Sequence, residues 1–243
     1  MGRYHFSSLG IGLTVAIAVT TASLLATPRS AEASQPWQGT TDDRTNVRSG
    51  PSTGAPVVDV LPAGSLVTVQ RWVSGEEVET QNNTWAQIGE GQFVYSARVH
   101  KVPPDAPPPP PEDAQFAGKW IDANLTEQTL TAYVGSTPVH VAVMSSGRPD
   151  YPTPRGTFTI LRRVANETMT SAGLPWIRDY YKLDNVLFTQ YFTSMGAAIH
   201  EAWWKAPDSF GIPTSHACIG LPHDEAEWFW NWANVGTPVY VHQ

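Results

Sequence analysis

The sequence predicts a mainly β protein: a small β-barrel followed by a larger β-rich domain closed by one C-terminal helix. Three observations lead there. Short runs rich in Val, Thr, Trp and Tyr recur along the chain, separated by clusters of Gly, Pro and Ser, the pattern of strands and tight turns. A proline tract, PPDAPPPPPEDA from Pro103 to Ala114, divides these runs into two groups. A helical period stands out near the end, where Ala226, Phe229, Trp230 and Ala233 fall at i, i+3, i+4 and i+7.

Composition bounds the rest. A chain of 243 residues has room for two small domains. Its 11% aromatic content, including ten Trp, is enough for packed cores despite 21 Pro, so the chain is not disordered overall. Charged residues make up 15% and the net charge is -7, so nothing resembles the basic footprint of a nucleic-acid binder, and that class is excluded.

Residues 1–33 read as an export signal. Arg3 supplies the positive start, Leu9 to Ala26 is an uncharged apolar-to-small run, and Ala31-Glu32-Ala33 is an A-x-A cleavage site before Ser34. Thr, Ser and Gly within the run weaken it as a permanent span, so no stable membrane span is expected. With no cysteine beside the site there is no lipoprotein anchor, and the expected location is the cell envelope or the secreted fraction. Without Arg3, Arg29 and Glu32 the remainder has 13 basic and 21 acidic residues and a net charge of -8.

Residues 37–102 form the first unit. Val57 to Leu61, Leu66 to Trp72, Trp85 to Ile88 and Gln92 to Tyr95 are expected strands, separated by Pro62-Ala63-Gly64, Ser74-Gly75 and Gly89-Glu90-Gly91. The segment Thr45-Asn46-Val47-Arg48-Ser49-Gly50-Pro51-Ser52, with Val57, Leu61, Ala63-Gly64, Val67 and Val69 after it, resembles the bacterial SH3-like domain. That resemblance implies a targeting or spacing module with possible wall contact. Residues 103–115 are then expected to run as a stiff extended linker.

The second unit covers residues 116–243. Trp120 to Asn124, Leu130 to Val134 and Val139 to Ser145 are expected antiparallel strands, and Thr153 to Phe158 a turn leading into a strand from Phe158 to Val164. Ala165 to Tyr191 has no sustained period and reads as a long irregular excursion. Asp224 to Asn234 is the expected helix, ending before Gly236, with Thr237 to Val241 returning as a strand.

Cys218 is the chain's one cysteine, and it follows His216 by two residues and precedes a short apolar segment. Exported chains use thiols in pairs, so a lone thiol beside a histidine points to an activated nucleophile rather than packing that Ala, Val or Ser could provide. A different chemistry is open to the same residues: His200, His216, Cys218 and His223 are all competent zinc ligands, although no CxxC or HExxH pattern accompanies them.

His200, fourteen intervening residues, then Ser215-His216-x-Cys218, with Phe210-Gly211-Ile212-Pro213 leading in, resembles the active-site signature of the L,D-transpeptidase (YkuD-type) catalytic domain. Trp120 with Leu125 to Tyr133, Ser146-Gly147, Thr153-Pro154-x-Gly156-Thr157-Phe158 and Gly236-Thr237-Pro238-Val239 keep the family's order. The resemblance implies a β-rich fold that presents Cys218 to peptidoglycan stem peptides. It also implies His200 as the base, oriented by the backbone carbonyl of Glu201, and His216, Ser215 and the N–H groups of Ala217 and Cys218 as site and oxyanion support. Transfer to an acceptor amine, hydrolysis, or a degenerate wall-binding role all remain open, carbapenems are expected inhibitors, and no cofactor or metal is implied. The chain departs from the family at Ala217, usually Gly, and at Gly220, usually Arg or Asn. Ala217 is expected at negative φ, where alanine fits without strain.

Overall fold

The computed structural model describes residues 1–2, 36–175 and 177–243, so the predicted export segment lies outside the described residues apart from Met1 and Gly2. The first unit holds β1 (Trp37–Thr41), β2 (Thr45–Arg48), β3 (Val57–Leu61), β4 (Leu66–Val69), β5 (Arg71–Glu79), β6 (Asn82–Gly89), β7 (Gln92–Tyr95) and β8 (Val99–Lys101). These make two sheets, ordered β4-β1-β8 and β3-β2-β7-β6-β5. Alternation on β1 turns Trp37, Gly39 and Thr41 toward the interior, where Trp37 packs with Val47, Val67, Val69, Ala86, Val94 and Val99. The expected strand from Leu66 to Trp72 is two strands: at Gln70 the chain leaves β1 and joins the sheet of β6 through a bond from its N–H to Gln87 O.

The second unit adds β9 (Lys119–Asn124), β10 (Thr129–Val134), β11 (Thr137–Val143), β12 (Gly156–Thr159), β13 (Arg162–Thr170), β14 (Lys182–Tyr191), β15 (Ala198–Glu201), β16 (Ile219–Leu221), α1 (His223–Trp232) and β17 (Pro238–His242). One sheet runs β11-β10-β9-β17-β12 and the other β13-β14-β15-β16. Ile121, Leu130, Met144, Phe192, Ile199, Ile219 and Val239 fill the core, and Ala226, Phe229 and Ala233 of the α1 region close it. The expected strand from Phe158 to Val164 breaks at Ile160, whose N–H and carbonyl bond Thr237 O and Gly236 N, and the chain changes sheets there.

The segment from Ala165 to Tyr191 is not an irregular excursion. It is a long hairpin of β13 and β14 joined through residues 171–181. Asn185 (φ 58°) and Phe188 (φ 60°) lie in the left-handed region inside β14, and such bulge-like breaks erase the alternation by which a strand is recognised. The proline tract contains no helix or strand, as its composition requires, yet it is tied to the second unit: Tyr133 Oη donates to Pro108 O (2.8 Å) and Tyr240 Oη to Asp113 Oδ2 (2.5 Å). Ala33 to Gln243 form one compact unit. No helix among the described residues is long and apolar enough to cross a membrane.

Candidate active site

Two short buried strands set the site. β15 and β16 run parallel, pairing Ile199 with Ile219, His200 with Gly220 and Glu201 with Leu221, so the residue entering β16, Cys218, lies beside the start of β15. His200 is 4% exposed. Its Nδ1 lies 2.6 Å from Glu201 O. A carbonyl only accepts, so Nδ1 carries the proton and Nε2 keeps its lone pair as a base. Burial lowers the His200 pKa and holds the ring neutral. The Cys218 thiol donates to Gly196 O at 3.7 Å, and burial pushes its pKa up to about 11. Both the Cys218 thiol and the His200 ring are therefore neutral at rest.

Glu201 is not the solvated carboxylate its residue type suggests: it is 5% exposed and its Oε1 lies 2.7 Å from His223 Nδ1. His223 is thereby engaged away from His200, and no group of three or more His, Cys, Asp or Glu among the described residues is arranged to hold a metal ion.

The loop before Cys218 is fixed from several directions. Thr214 N–H and Ser215 N–H both bond Ser146 O (3.0 Å each), and Ser215 Oγ donates to Cys218 O (2.5 Å). Ser146 is held by Gln128, whose amide oxygen accepts from Ser146 N–H (2.9 Å) and whose Nε2 donates to Ser146 Oγ (2.8 Å). At Gly147 a Cβ would stand 2.2 Å from Tyr151 O and 2.9 Å from Ala217 Cα, so only glycine lets the two loops meet.

Ala217 has φ of 82°, against the expectation of a negative value. The loop keeps the backbone a glycine would adopt and the alanine bears a left-handed conformation, at a cost of roughly 1–2 kcal/mol.

His216 sits between Tyr151 and Tyr181, ring centroids 4.9 and 5.1 Å away. Its Nε2 is 3.3 Å from both Asp179 Oδ2 and Arg148 Nη2, and Arg148 also pairs with Asp179. Burial and the Arg148 charge push its pKa down to about 4, so His216 is a neutral, held ring. The hairpin after β13 thus reaches the site through Asp179 and Tyr181. Sequence reasoning missed these residues, along with Gln128 and Arg148, because each stands far from the motif in the chain and none carries a pattern of its own.

The first unit reaches the site as well. Trp37 Nε1 donates to Gly211 O (2.6 Å), Thr84 Oγ1 to Pro213 O (2.9 Å), and Ile212, between them, is 3% exposed inside the first unit's core. Arg148 Nη1 donates to Gln81 O (2.8 Å), while Asp150 accepts from Ser74 (2.5 Å) and Asn83 (2.7 Å). A cavity of about 460 Å³ lies where the two units meet, walled by Cys218, His200 and His216 on one side and by residues such as Asp42, Glu79 and His100 on the other.

Residues 118–241 match the L,D-transpeptidase catalytic domain family (YkuD), and residues 43–99 match the bacterial SH3 domain. The chain belongs to the L,D-transpeptidase family. Members are cysteine enzymes of peptidoglycan crosslinking, and Cys218 is this member's one cysteine. The chain is similar to Probable L,D-transpeptidase 3 of Mycobacterium tuberculosis, 39% identical over 103 residues, covering 41% of this chain and 37% of that protein. It is also similar to L,D-transpeptidase 1 of the same species, 28% identical over 125 residues, covering 49% of this chain and 48% of the other. The matched segment thus spans less than half of either relative's length. An L,D-transpeptidase structure from Mycobacterium smegmatis aligns with a TM-score of 0.48 at 23% identity, covering 82% of this chain and 78% of that one.

Proposed function

We propose that this L,D-transpeptidase is an exported enzyme that crosslinks peptidoglycan through a thioester on Cys218. The observation that carries the reading is the pairing of one thiol with one oriented base: Cys218 and His200 line a single cavity, and the Nδ1 bond to Glu201 O leaves His200 Nε2 free to take a proton. The thiol proton passes to Nε2 as sulfur attacks the carbonyl after the L-centre of the third, diamino acid residue of a tetrapeptide stem. Backbone N–H groups of Ala217 and Cys218 receive the oxyanion. The C–N bond breaks, the His200 imidazolium protonates the departing amine, and the terminal D-alanine leaves. The side-chain amine of a second stem then attacks the thioester carbonyl, the C–S bond breaks, and the proton that His200 takes from the amine passes to the departing sulfur, giving a crosslink between two third residues and a free thiol. Water in place of the amine gives the L,D-carboxypeptidase outcome.

His216 supports the site through its packing between the two tyrosines, and Ser215 through its bond to Cys218 O. The first unit holds the loop from the other side and offers a surface for wall contact. Incubation with purified tetrapeptide muropeptides, read by mass spectrometry, tests the reading. The expected product is a crosslinked dimer lacking one D-alanine. A dominant tripeptide product would shift the assignment to hydrolysis, and an unchanged substrate would leave a wall-binding protein without catalysis.

A further inference from the structure

The cavity holds a cation that the mechanism above does not use. Lys205 follows β15 in the turn made by the bond from its own N–H to Ala202 O (3.0 Å). Its Nζ donates to Thr214 Oγ1 (2.8 Å), one residue before Ser215, and lies 5.7 Å from the centre of the Phe210 ring. It is the one Lys or Arg among the described residues lining the cavity with Cys218 and His200.

Three carboxylates, Asp42, Glu79 and Asp208, also line this cavity, yet none forms an ion pair with Lys205 among the described residues. Asp42 is instead 3.5 Å from His100. Burial pushes the Lys205 pKa down to about 8, the direction expected of an ammonium taken out of water. A hydroxyl and a ring face satisfy one N–H and part of the charge, and two N–H donors remain for a ligand. An anion in the cavity would restore what burial removes. Gly220 adds no side chain to the same wall, and its Cβ would meet Ala202 Cβ at 3.1 Å.

We propose that Lys205 binds the free terminal carboxylate of the peptide donor and so selects stems that end one residue beyond the scissile bond. Extended backbone advances about 3.5 Å per residue, so a stem with a single residue past the attacked carbonyl puts its carboxylate within the cavity that Lys205 shares with Cys218. A longer stem puts a neutral amide there and carries its charge outside. The ammonium forms a charge-assisted bond to the first kind of donor and is left uncompensated by the second. This assignment rests on the acyl-transfer reading and adds the feature of the donor that the site reads.

The test compares a tetrapeptide stem ending in D-alanine with the same peptide as its C-terminal carboxamide, using the full chain and the variants Lys205→Met and Lys205→Arg. The readout is the acid-to-amide ratio of kcat/KM within each protein, which does not depend on the fraction folded. The wild type is expected to prefer the acid by about tenfold or more, Lys205→Met to bring the ratio to within about twofold of one, and Lys205→Arg to restore most of it. A ratio unchanged in Lys205→Met overturns the proposal. A second measurement is independent of the peptide reaction: alkylation of Cys218 by iodoacetate relative to iodoacetamide should fall several-fold in Lys205→Met. Peptides inert with the wild type, together with that fall in the alkylation ratio, would overturn the acyl-transfer reading while leaving an anion site at Lys205; an unchanged alkylation ratio would remove the anion site as well.

Discussion

At the scale of single residues, the cavity holds a neutral thiol and a neutral imidazole rather than a preformed ion pair. Burial raises the Cys218 pKa to about 11 and lowers that of His200. In the proposed reaction, proton transfer to His200 accompanies attack by Cys218. Acylation should depend on His200 in its neutral form, present above its lowered pKa, and should fall as pH drops through that value. His200→Ala is expected to slow acylation by roughly 10²–10⁴ near neutral pH. The deficit should shrink toward pH 11, where Cys218 ionises without help, and stopped-flow acylation across pH checks this. A deficit constant across the whole range would mean that His200 does not carry the proton. Ala217 supplies a second prediction. Its φ of 82° is a conformation glycine adopts freely, so Ala217→Gly should raise stability by about 1 kcal/mol, measured by denaturant unfolding, with acylation changed less than tenfold. Lower stability in that variant would show that the alanine methyl packs favourably enough to outweigh the strain.

At the scale of elements, the strands that could be read from sequence were those with one wet face or one compact apolar run. β3 (Val57–Leu61) and β7 (Gln92–Tyr95) lie where the turn residues put them, and β9, β10 and α1 lie within a residue or two of their expected bounds. β14 was illegible because Asn185 and Phe188 reverse its backbone, and β15 because it is only four residues long and half of it, His200 and Glu201, is of residue types that do not mark a buried strand. Local sequence marked Cys218, His200, His216 and Ser215, whereas Asp179, Gln128 and Arg148 act through long-range geometry that no window of sequence contains. Ile212 is the clearest instance. Four apolar or turn residues leading into a motif gave no sign that the third of them enters another unit's core. The bonds flanking it fix the segment from Gly211 to Pro213 and, through it, the Ser215 to Cys218 loop. Thr84→Val keeps the shape of the side chain and removes the bond to Pro213 O. With Trp37→Phe, which removes the bond to Gly211 O, it should cost about 1–3 kcal/mol of stability and slow carbapenem acylation three- to tenfold. Unchanged acylation in the double variant would show that the loop holds its geometry without those bonds.

At the scale of the whole molecule, the SH3-like and catalytic regions build one cavity and share one buried side chain, so the candidate site belongs to both. A chain beginning near Asp113 would leave Ile212 exposed and the carbonyls of Gly211 and Pro213 without their partners. Such a fragment is expected to acylate at least tenfold more slowly than the full chain, and acylation at the full rate would show that the clamp is dispensable. Beneath all of these outcomes is the claim that Cys218 forms the acyl-enzyme. The direct measurement is the intact mass of the protein after incubation with a carbapenem and, separately, with a tetrapeptide stem. The account predicts one carbapenem adduct, and one adduct of the stem less D-alanine, on the wild-type protein and neither on Cys218→Ala. An adduct of either kind that persists on Cys218→Ala, or a wild-type protein that forms neither, would contradict it.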